Sequence, residues 1–168
     1  MPEAVKGINQ ILLFRLLEDA ETETAVKLAY QTEHEVTESK ESDSVVTKDG
    51  NITVPGALET EISATSILAV GDPMVKKLRD AMRENKIVEM WDIDKTVPNE
   101  TTGKYPATYY QGLITEYSKN PTAEDNVEIS FTFVPNGMGQ DGEATLTAEQ
   151  SEVVQYKFKD TTAEGSEA

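Results

Sequence analysis

Alternating apolar and polar side chains run along much of the chain, and this two-residue period is typical of half-buried β-strands. The clearest example is the second half of the segment 112–133, where four apolar side chains share one face: Val127, Ile129, Phe131 and Phe133. A polar break at Asn120-Pro121 precedes this run and predicts a turn. The segment is therefore predicted to be a pair of strands, with one face in the core and the other free for a second role.

The same period predicts strands elsewhere in the chain. Val26, Leu28 and Tyr30 alternate with polar side chains and favour a strand over residues 24–36. Strand periodicity also marks three further segments: 57–68, 86–93 and 105–117. Residues 10–17 form a long apolar run, which fits either a strand buried on both faces or a turn of helix.

A long projection is predicted over about residues 38–56. Residues 38–44 are all polar, which is typical of a mobile loop. Two β-prone runs then flank Asp49-Gly50, a dipeptide suited to the positive φ angles of a tight hairpin turn. The hairpin carries four apolar side chains that are candidates for contact with another surface: Val45, Val46, Ile52 and Val54.

One helix is predicted over residues 72–84. Asp72 can accept hydrogen bonds from the first free backbone amides, and Pro73 suits the first helical position. Three apolar side chains form one stripe along this helix: Val75, Leu78 and Met82. Several strands, one helix and several more strands predict a mainly β fold, a β-sandwich or split barrel with one flanking α-helix.

Three of the predicted strands are apolar on both faces: 10–17, 86–93 and 105–117. In a monomeric sandwich one face of a strand is normally exposed to water. Either the helix and the loops cover the second face, or neighbouring subunits do. This pattern favours an oligomer and leaves both explanations open.

Composition narrows the possible chemistry. The chain has 168 residues, which fits one domain, with 38% hydrophobic and 27% charged residues. It contains no cysteine and only one histidine, His34, which excludes disulfides, thiol chemistry and multi-histidine metal sites. Its net charge is −16, with acids concentrated in residues 18–43 and 141–168. Binding to phosphate backbones needs clustered lysine and arginine, so this chain is predicted to be a poor nucleic-acid binder. The acids serve either solubility or the repulsion of a polyanion.

Targeting signals are not predicted in the N-terminal region. The apolar run Ile11–Leu17 is interrupted by Arg15 and closed by two acids. A secretory signal needs an uninterrupted apolar region, and a membrane span needs about 20 apolar residues. We therefore expect a protein made in the cytosol that has no membrane partner.

Three patterns resemble reactive sites but lack the required context. The glycines of Gly137–Gly142 match a dinucleotide-binding motif but do not open a helix within a βαβ unit. Asp92 and Asp94 share a strand face, yet the oxygen ligands that a calcium loop needs next are missing. His34 stands between two glutamates as an expected surface histidine, and no nucleophile turn occurs in the chain. No catalytic, cofactor-binding or metal-binding residue is predicted, and no enzyme.

The order of features resembles that of phage tail-tube proteins. Gly112 lies in an aromatic-rich strand that is followed by a polar break, Asp125, the alternating strand that ends at Phe133, and a further glycine. An N-terminal arm, the projection and the single helix precede this signature. The chain as a whole looks like the major tail protein of long, non-contractile-tailed phages of lactic-acid bacteria.

The resemblance implies one tail-tube domain over residues 1–159. The composition of residues 160–168 predicts an acidic, mobile C-terminal tail. It implies rings of six subunits that stack into a tube, with tape-measure, terminator and baseplate proteins as partners. DNA would pass through a negatively charged channel without being bound, and no cofactor would be required. The protein would be part of the virion tail, assembled in the host cytoplasm.

A second reading of the sequence remains open beside the structural one. An acidic β-sandwich can serve as a binding module for carbohydrate or protein. Four aromatic residues are the candidates for stacking in that case: Trp91, Tyr105, Tyr109 and Tyr110.

Overall fold

A computed structural model describes residues 2–147 and Thr161. In chain order the helices and strands are a 3₁₀ helix Gly7–Asn9, β1 Gln10–Leu16, a 3₁₀ helix Leu17–Asp19, β2 Gln31–Thr47, β3 Gly50–Ile67, α1 Pro73–Glu84, β4 Val88–Asp94, β5 Tyr105–Asn120, β6 Glu128–Pro135 and β7 Gln140–Ala144. This mainly β chain with one flanking helix confirms the predicted fold class.

The strands form one antiparallel sheet with the order β1-β4-β5-β6-β3-β2, and β7 pairs with the start of β5. β5 belongs to two parts of this sheet. Its residues 107–112 pair with β4, whereas most of its residues from 112 to 120 pair with β6. The sheet therefore has two halves, β1-β4-β5-β7 and β5-β6-β3-β2, that share one long strand.

The first residue of β2 and the segment before it join the two halves a second time. The side-chain oxygen of Gln31 accepts a hydrogen bond from the Leu12 backbone N–H at 3.2 Å, and its nitrogen donates one to the Leu12 carbonyl at 2.7 Å. Val26 forms a single β-bridge with Phe14. These contacts occupy the outer edge of β1, so the two ends of the sheet meet and the sheet curls into a split barrel.

Helix α1 covers one face of the curled sheet and encloses the main core. Asp72 caps its start, since Oδ1 accepts from the Met74 N–H at 3.1 Å while Oδ2 accepts from the Ala29 N–H at 3.1 Å. The helix ends at Asn85, which has the left-handed φ of 57°. The sheet contributes the largest fully buried side chains of this core, among them Leu12, Phe14, Ile62, Met90, Phe131 and Phe133.

A second apolar cluster lies on the opposite face of β1 and β4. Its buried members are Ile11, Leu13 and Ile93. Several partly buried side chains pack against them: Ala25, Trp91, Tyr105, Ala107, Ala144 and Leu146. The chain itself thus covers strands that are apolar on both faces, and this pattern is no argument for an oligomer.

Two local predictions were wrong. Residues 38–44 are not a loop but part of β2, because β3 supplies their backbone hydrogen-bond partners along a hairpin that is solvated on both faces. Residues 24–30 are not part of a strand. Tyr30 has a left-handed φ of 52°, which breaks the extended conformation immediately before β2 begins at Gln31.

Candidate assembly surfaces

The hairpin formed by β2 and β3 extends well beyond the rest of the sheet. β3 pairs with β6 only through Ile62–Ile67, so its residues 50–61 have no partner strand except β2 within the described part of the chain. At about 3.3 Å per residue its 18 residues span roughly 60 Å. The turn is tight: Gly50 has φ 120°, and the Thr47 hydroxyl donates to the Gly50 carbonyl at 2.6 Å.

One face of this hairpin is apolar and exposed near the tip. Val45, Ile52 and Val54 are 46%, 55% and 48% exposed. They share a face with Asp43, because Val45 pairs with Ile52 and Asp43 pairs with Val54. Val46, 81% exposed, lies on the opposite face. We refer to Asp43, Val45, Ile52 and Val54 as the hairpin face; clustered exposed apolar side chains of this kind mark contact surfaces.

The strand of the sequence signature packs the main core. Ile129, Phe131 and Phe133 are at most 2% exposed, and Val127 is partly buried just before the strand begins. Asp125 lies exposed in the bend between β5 and β6.

Gly112 stands where β5 passes from one half of the sheet to the other. A Cβ at this position would overlap the Val134 carbonyl oxygen and would lie 2.6 Å from the Pro135 Cα. Both obstacles are backbone atoms of the paired strand, so they cannot move aside as the end of a side chain can. The close approach of the two strands therefore requires glycine here.

The half-sheet β5-β6-β3-β2 has a polar face opposite its core face. Side chains of paired residues form rows across it, of which one is Glu35, Ser63, Thr132 and Glu116. Over residues 33–39 of β2, 59–67 of β3, 113–120 of β5 and 128–134 of β6, six carboxylates lie on this face and no lysine or arginine does. They belong to Glu33, Glu35, Glu59, Glu61, Glu116 and Glu128. The remaining side chains in these rows are mainly serine and threonine.

Both outer edges of the same half-sheet are unpaired within the described residues. β2 is the last strand in the sheet order, so its outer edge is open along the hairpin. The edge of β5 that faces β4 is paired only as far as Gly112, which leaves residues 113–120 without a partner there. Unpaired edges are templates for pairing with another chain.

A buried ion pair that sequence reasoning missed lies on the other half-sheet. Arg15 and Glu89 are paired across β1 and β4, with Nε to Oε1 at 2.8 Å and Nη2 to Oε2 at 3.3 Å. The Glu89 side chain is only 4% exposed, and the Tyr109 hydroxyl also donates to it. The Arg15 guanidinium stacks on the Trp91 ring at 5.0 Å. The sequence held one signal for this ion pair. Strand alternation places both Arg15 and Glu89 on faces that are otherwise apolar.

The contacts around Glu89 explain the pKa shifts of two side chains, Arg15 and Tyr109. The hydrogen bond from Arg15 to Glu89 raises the pKa of the guanidinium above its ordinary value. Burial, followed by the hydrogen bond to Glu89, raises the pKa of the Tyr109 hydroxyl. Arg15 is therefore charged and Tyr109 neutral at physiological pH, which keeps two donors directed at the carboxylate.

The four aromatic residues considered for ligand stacking are engaged within the chain. Tyr110 is 4% exposed in the main core. Trp91 and Tyr109 pack against each other with ring centroids 5.0 Å apart, and Tyr105 packs on the second cluster. None of them forms an open platform, so the structure offers no support for a stacking-based binding module.

The other candidate sites also have structural roles. His34 is not a surface residue: its side chain is 13% exposed, and Nε2 lies 3.0 Å from the Asp92 Oδ1. Asp94 caps the next turn by accepting from the Thr96 N–H at 2.8 Å. Gly142 lies within β7, so the glycine motif leads into a strand. Among residues 2–147 and 161, no group of three acidic or histidine residues is arranged to hold a metal ion, and no helix is long and apolar enough to span a membrane.

Comparison with known proteins assigns the chain to a family. A family model described as phage tail tube protein matches residues 4–141. The chain belongs to the phage tail tube protein family. A tail protein of Staphylococcus phage phiMR25 is 28% identical over 159 residues, which cover 92% of this chain and 81% of that protein. A tail tube protein of Bacillus phage SPP1 is 30% identical over 151 residues, 89% of this chain and 56% of that one.

Solved structures agree with the tail tube assignment. The SPP1 tail tube, determined by solid-state NMR and cryo-electron microscopy, superposes with a TM-score of 0.78 and 26% identity over 96% of both chains. The tail of a gene transfer agent particle, refined with C6 symmetry, has a TM-score of 0.64 and shares only the fold at 13% identity; the match covers 82% of this chain and 98% of that one. The family is structural and not enzymatic, and the predicted resemblance is confirmed.

Proposed function

We propose that this tail tube protein closes into rings of six subunits and that the rings stack into a tube with a negatively charged channel. The observation that carries the proposal is the half-sheet β5-β6-β3-β2, which has one core face, one polar acidic face and two unpaired edges. Pairing the outer edge of β2 with the open edge of β5 in a neighbour removes both edges from solvent. Repeating this contact around a ring gives a closed barrel. The number six is the one implied by the family resemblance.

The polar face then lines the channel, because α1 and the main core occupy the other face of the half-sheet. A wall of carboxylate and hydroxyl groups repels phosphate, so DNA passes through without being retained. The hairpin, which extends past the ring, contacts the next ring along the axis. A contact of this head-to-tail kind generates filaments when it does not close on itself.

The partners at the two ends of the tube follow from the same assembly. A tape-measure protein would occupy the channel during assembly in the host cytoplasm, and terminator and baseplate proteins would bind the terminal rings. These partners rest on the family resemblance. The described residues provide the two kinds of surface they need, an exposed hairpin at one end of a subunit and open strand edges at its sides.

Electron microscopy tests the assembly directly. We expect purified protein at high concentration to form tubes or six-fold rings in negative stain. The reason is that monomers leave two strand edges and the hairpin face exposed. A protein that stays monomeric at every concentration and salt condition, and that binds a glycan array, would contradict the proposal and support the binding module.

Reversing charge on the polar face tests the channel lining. Tubes of Glu35→Lys/Glu61→Lys, assembled with a fluorescent oligonucleotide, are expected to protect about tenfold more of it from nuclease than wild-type tubes, because lysine attracts the phosphates. Nuclease removes DNA on the outside, so protected DNA reports the interior. The matched control is Glu21→Lys/Glu100→Lys, which changes the net charge equally at exposed sites away from the polar face. Equal protection in both variants would show that the polar face does not line the channel.

A further inference from the structure

A groove of about 570 Å³ lies between α1 and the strand ends next to it. Leu68, Val75 and Val127 provide an apolar lining, and the exposed Val70 stands at its rim. Four cations and two carboxylates border the groove, which gives it a net positive charge: Lys76, Arg79, Arg83, Lys119, Asp72 and Asp80. Lys76 is paired with Asp80 at 2.6 Å, and the Arg79 guanidinium lies over the Tyr117 ring at 5.2 Å. Within the described part of the chain, Arg79, Arg83 and Lys119 form no ion pair within 4.0 Å of a carboxylate. An apolar groove with a net positive charge is unexpected in a protein of net charge −16.

The groove and the hairpin tip lie at opposite ends of the same strand. β3 begins at Gly50 in the tip and ends at Ile67, and Leu68 of the groove follows directly. The Leu68 N–H donates to the Val127 carbonyl at 2.8 Å, which places the start of β6 at this end as well. Lys119 is near the end of β5, which runs in the same direction as β3. Surfaces at opposite ends of a subunit are what axial stacking of identical subunits requires.

The hairpin face matches the groove in chemistry. It combines three exposed aliphatic side chains with the carboxylate of Asp43. The groove offers an aliphatic lining and a net positive charge, because its four cations outnumber its two carboxylates. Near the same tip the hairpin carries two further acids, Glu41 and Asp49, and two lysines, Lys40 and Lys48, so its charge is negative by one. Burial of the aliphatic surface stabilises such a contact, and the opposite charges favour the correct register.

We propose that the groove beside α1 receives the hairpin face of a second copy of this chain in the adjacent ring. The inference rests on the proposed stacking of rings and names the receiving surface. Val45, Ile52 and Val54 contact the apolar lining, while Asp43 approaches Arg79 or Arg83. Each subunit inserts its hairpin into one ring and receives a hairpin from the ring on the other side.

Disulfide cross-linking tests this contact, since the chain has no cysteine of its own. Ile52→Cys and Val70→Cys are combined in one chain, assembled under reducing conditions and then oxidised. A disulfide forms only when the two Cα atoms lie within about 7 Å. We expect most of the protein to move from the monomer band into a ladder that extends beyond six subunits, because axial contacts continue along the tube.

The control chain combines Ile52→Cys with Val97→Cys. Val97 is 67% exposed but belongs to the β4–β5 connection, at the opposite end of β5 from the groove. No ladder is expected from it. A ladder from Val70→Cys that stops at six subunits would place the contact within a ring and overturn the inference.

The inference and the proposed function fail in different ways. Tubes that form while Ile52→Cys/Val70→Cys gives no ladder would overturn the groove assignment and leave the tube intact. The groove would then bind something else, such as the chain's own acidic residues 160–168. The absence of tubes and rings in every chain, wild type included, would overturn both.

Discussion

Deletion of residues 40–52 is expected to abolish tubes while leaving a folded subunit or ring. All residues of this stretch are exposed except Thr47, so the deletion removes almost no buried surface. Residues 53–58 remain to connect Ser39 with Glu59, which are paired in the sheet. Without the hairpin a ring has nothing to extend into the next one. Negative-stain microscopy reports the tubes, and circular dichroism reports the fold.

A milder variant tests the apolar side chains of the hairpin face without removing the hairpin. Val45→Ser/Ile52→Ser/Val54→Ser keeps the length and turn of the hairpin but removes its apolar face, and tubes should again be lost. Val46→Ser changes the opposite face and serves as the control. Unchanged tubes after deletion of residues 40–52 would show that the projection is not an inter-ring contact.

Replacement of Arg15 by methionine is expected to lower the free energy of unfolding by about 3 kcal/mol, at the low end of what breaking a buried ion pair costs. Methionine leaves the nearly buried Glu89 carboxylate with the Tyr109 hydroxyl as its remaining side-chain donor among the described residues. It also removes the stacking on Trp91. Urea denaturation below the concentration at which tubes form measures the subunit alone.

Two further variants define the cause of this loss. Lys76→Met breaks the Lys76–Asp80 pair, whose side chains are 82% and 40% exposed, and should change stability by less than about 1 kcal/mol. Arg15→Met/Glu89→Met removes both charges and should recover much of the loss, because no unpaired carboxylate remains buried. If Arg15→Met were as mild as Lys76→Met, the pair would have no special role in the fold.

Local signals in the sequence identified several parts of the structure. The Asp72-Pro73 start identified the helix, because capping and the fixed φ of proline act over a few residues. Asp49-Gly50 likewise identified the turn between β2 and β3. The alternation that ends at Phe133 placed the buried face of β6 correctly, since a strand has only two faces.

The misplaced segments depend on contacts that are distant in sequence. Residues 38–44 have poor strand propensity and are extended only because β3 pairs with them. Tyr30 breaks the alternation of residues 24–36 where Gln31 must reach the backbone of Leu12. Glu89 is buried because it pairs with Arg15, which is 74 positions away in the sequence. No local pattern reports such partners.

The sequence alone determined the strand-rich class, the single helix, the hairpin turn and the acidic, cysteine-free character, because periodicity, capping and charge are properties of neighbouring residues. Only the tertiary structure decided which strand edges are open, which acids share the polar face, and that a basic groove lies at the opposite end of β3 from the hairpin face. Each of these depends on the pairing of distant strands. That pairing is fixed by how the whole sheet curls around its core, and it is the reason the assembly surfaces can be named by residue.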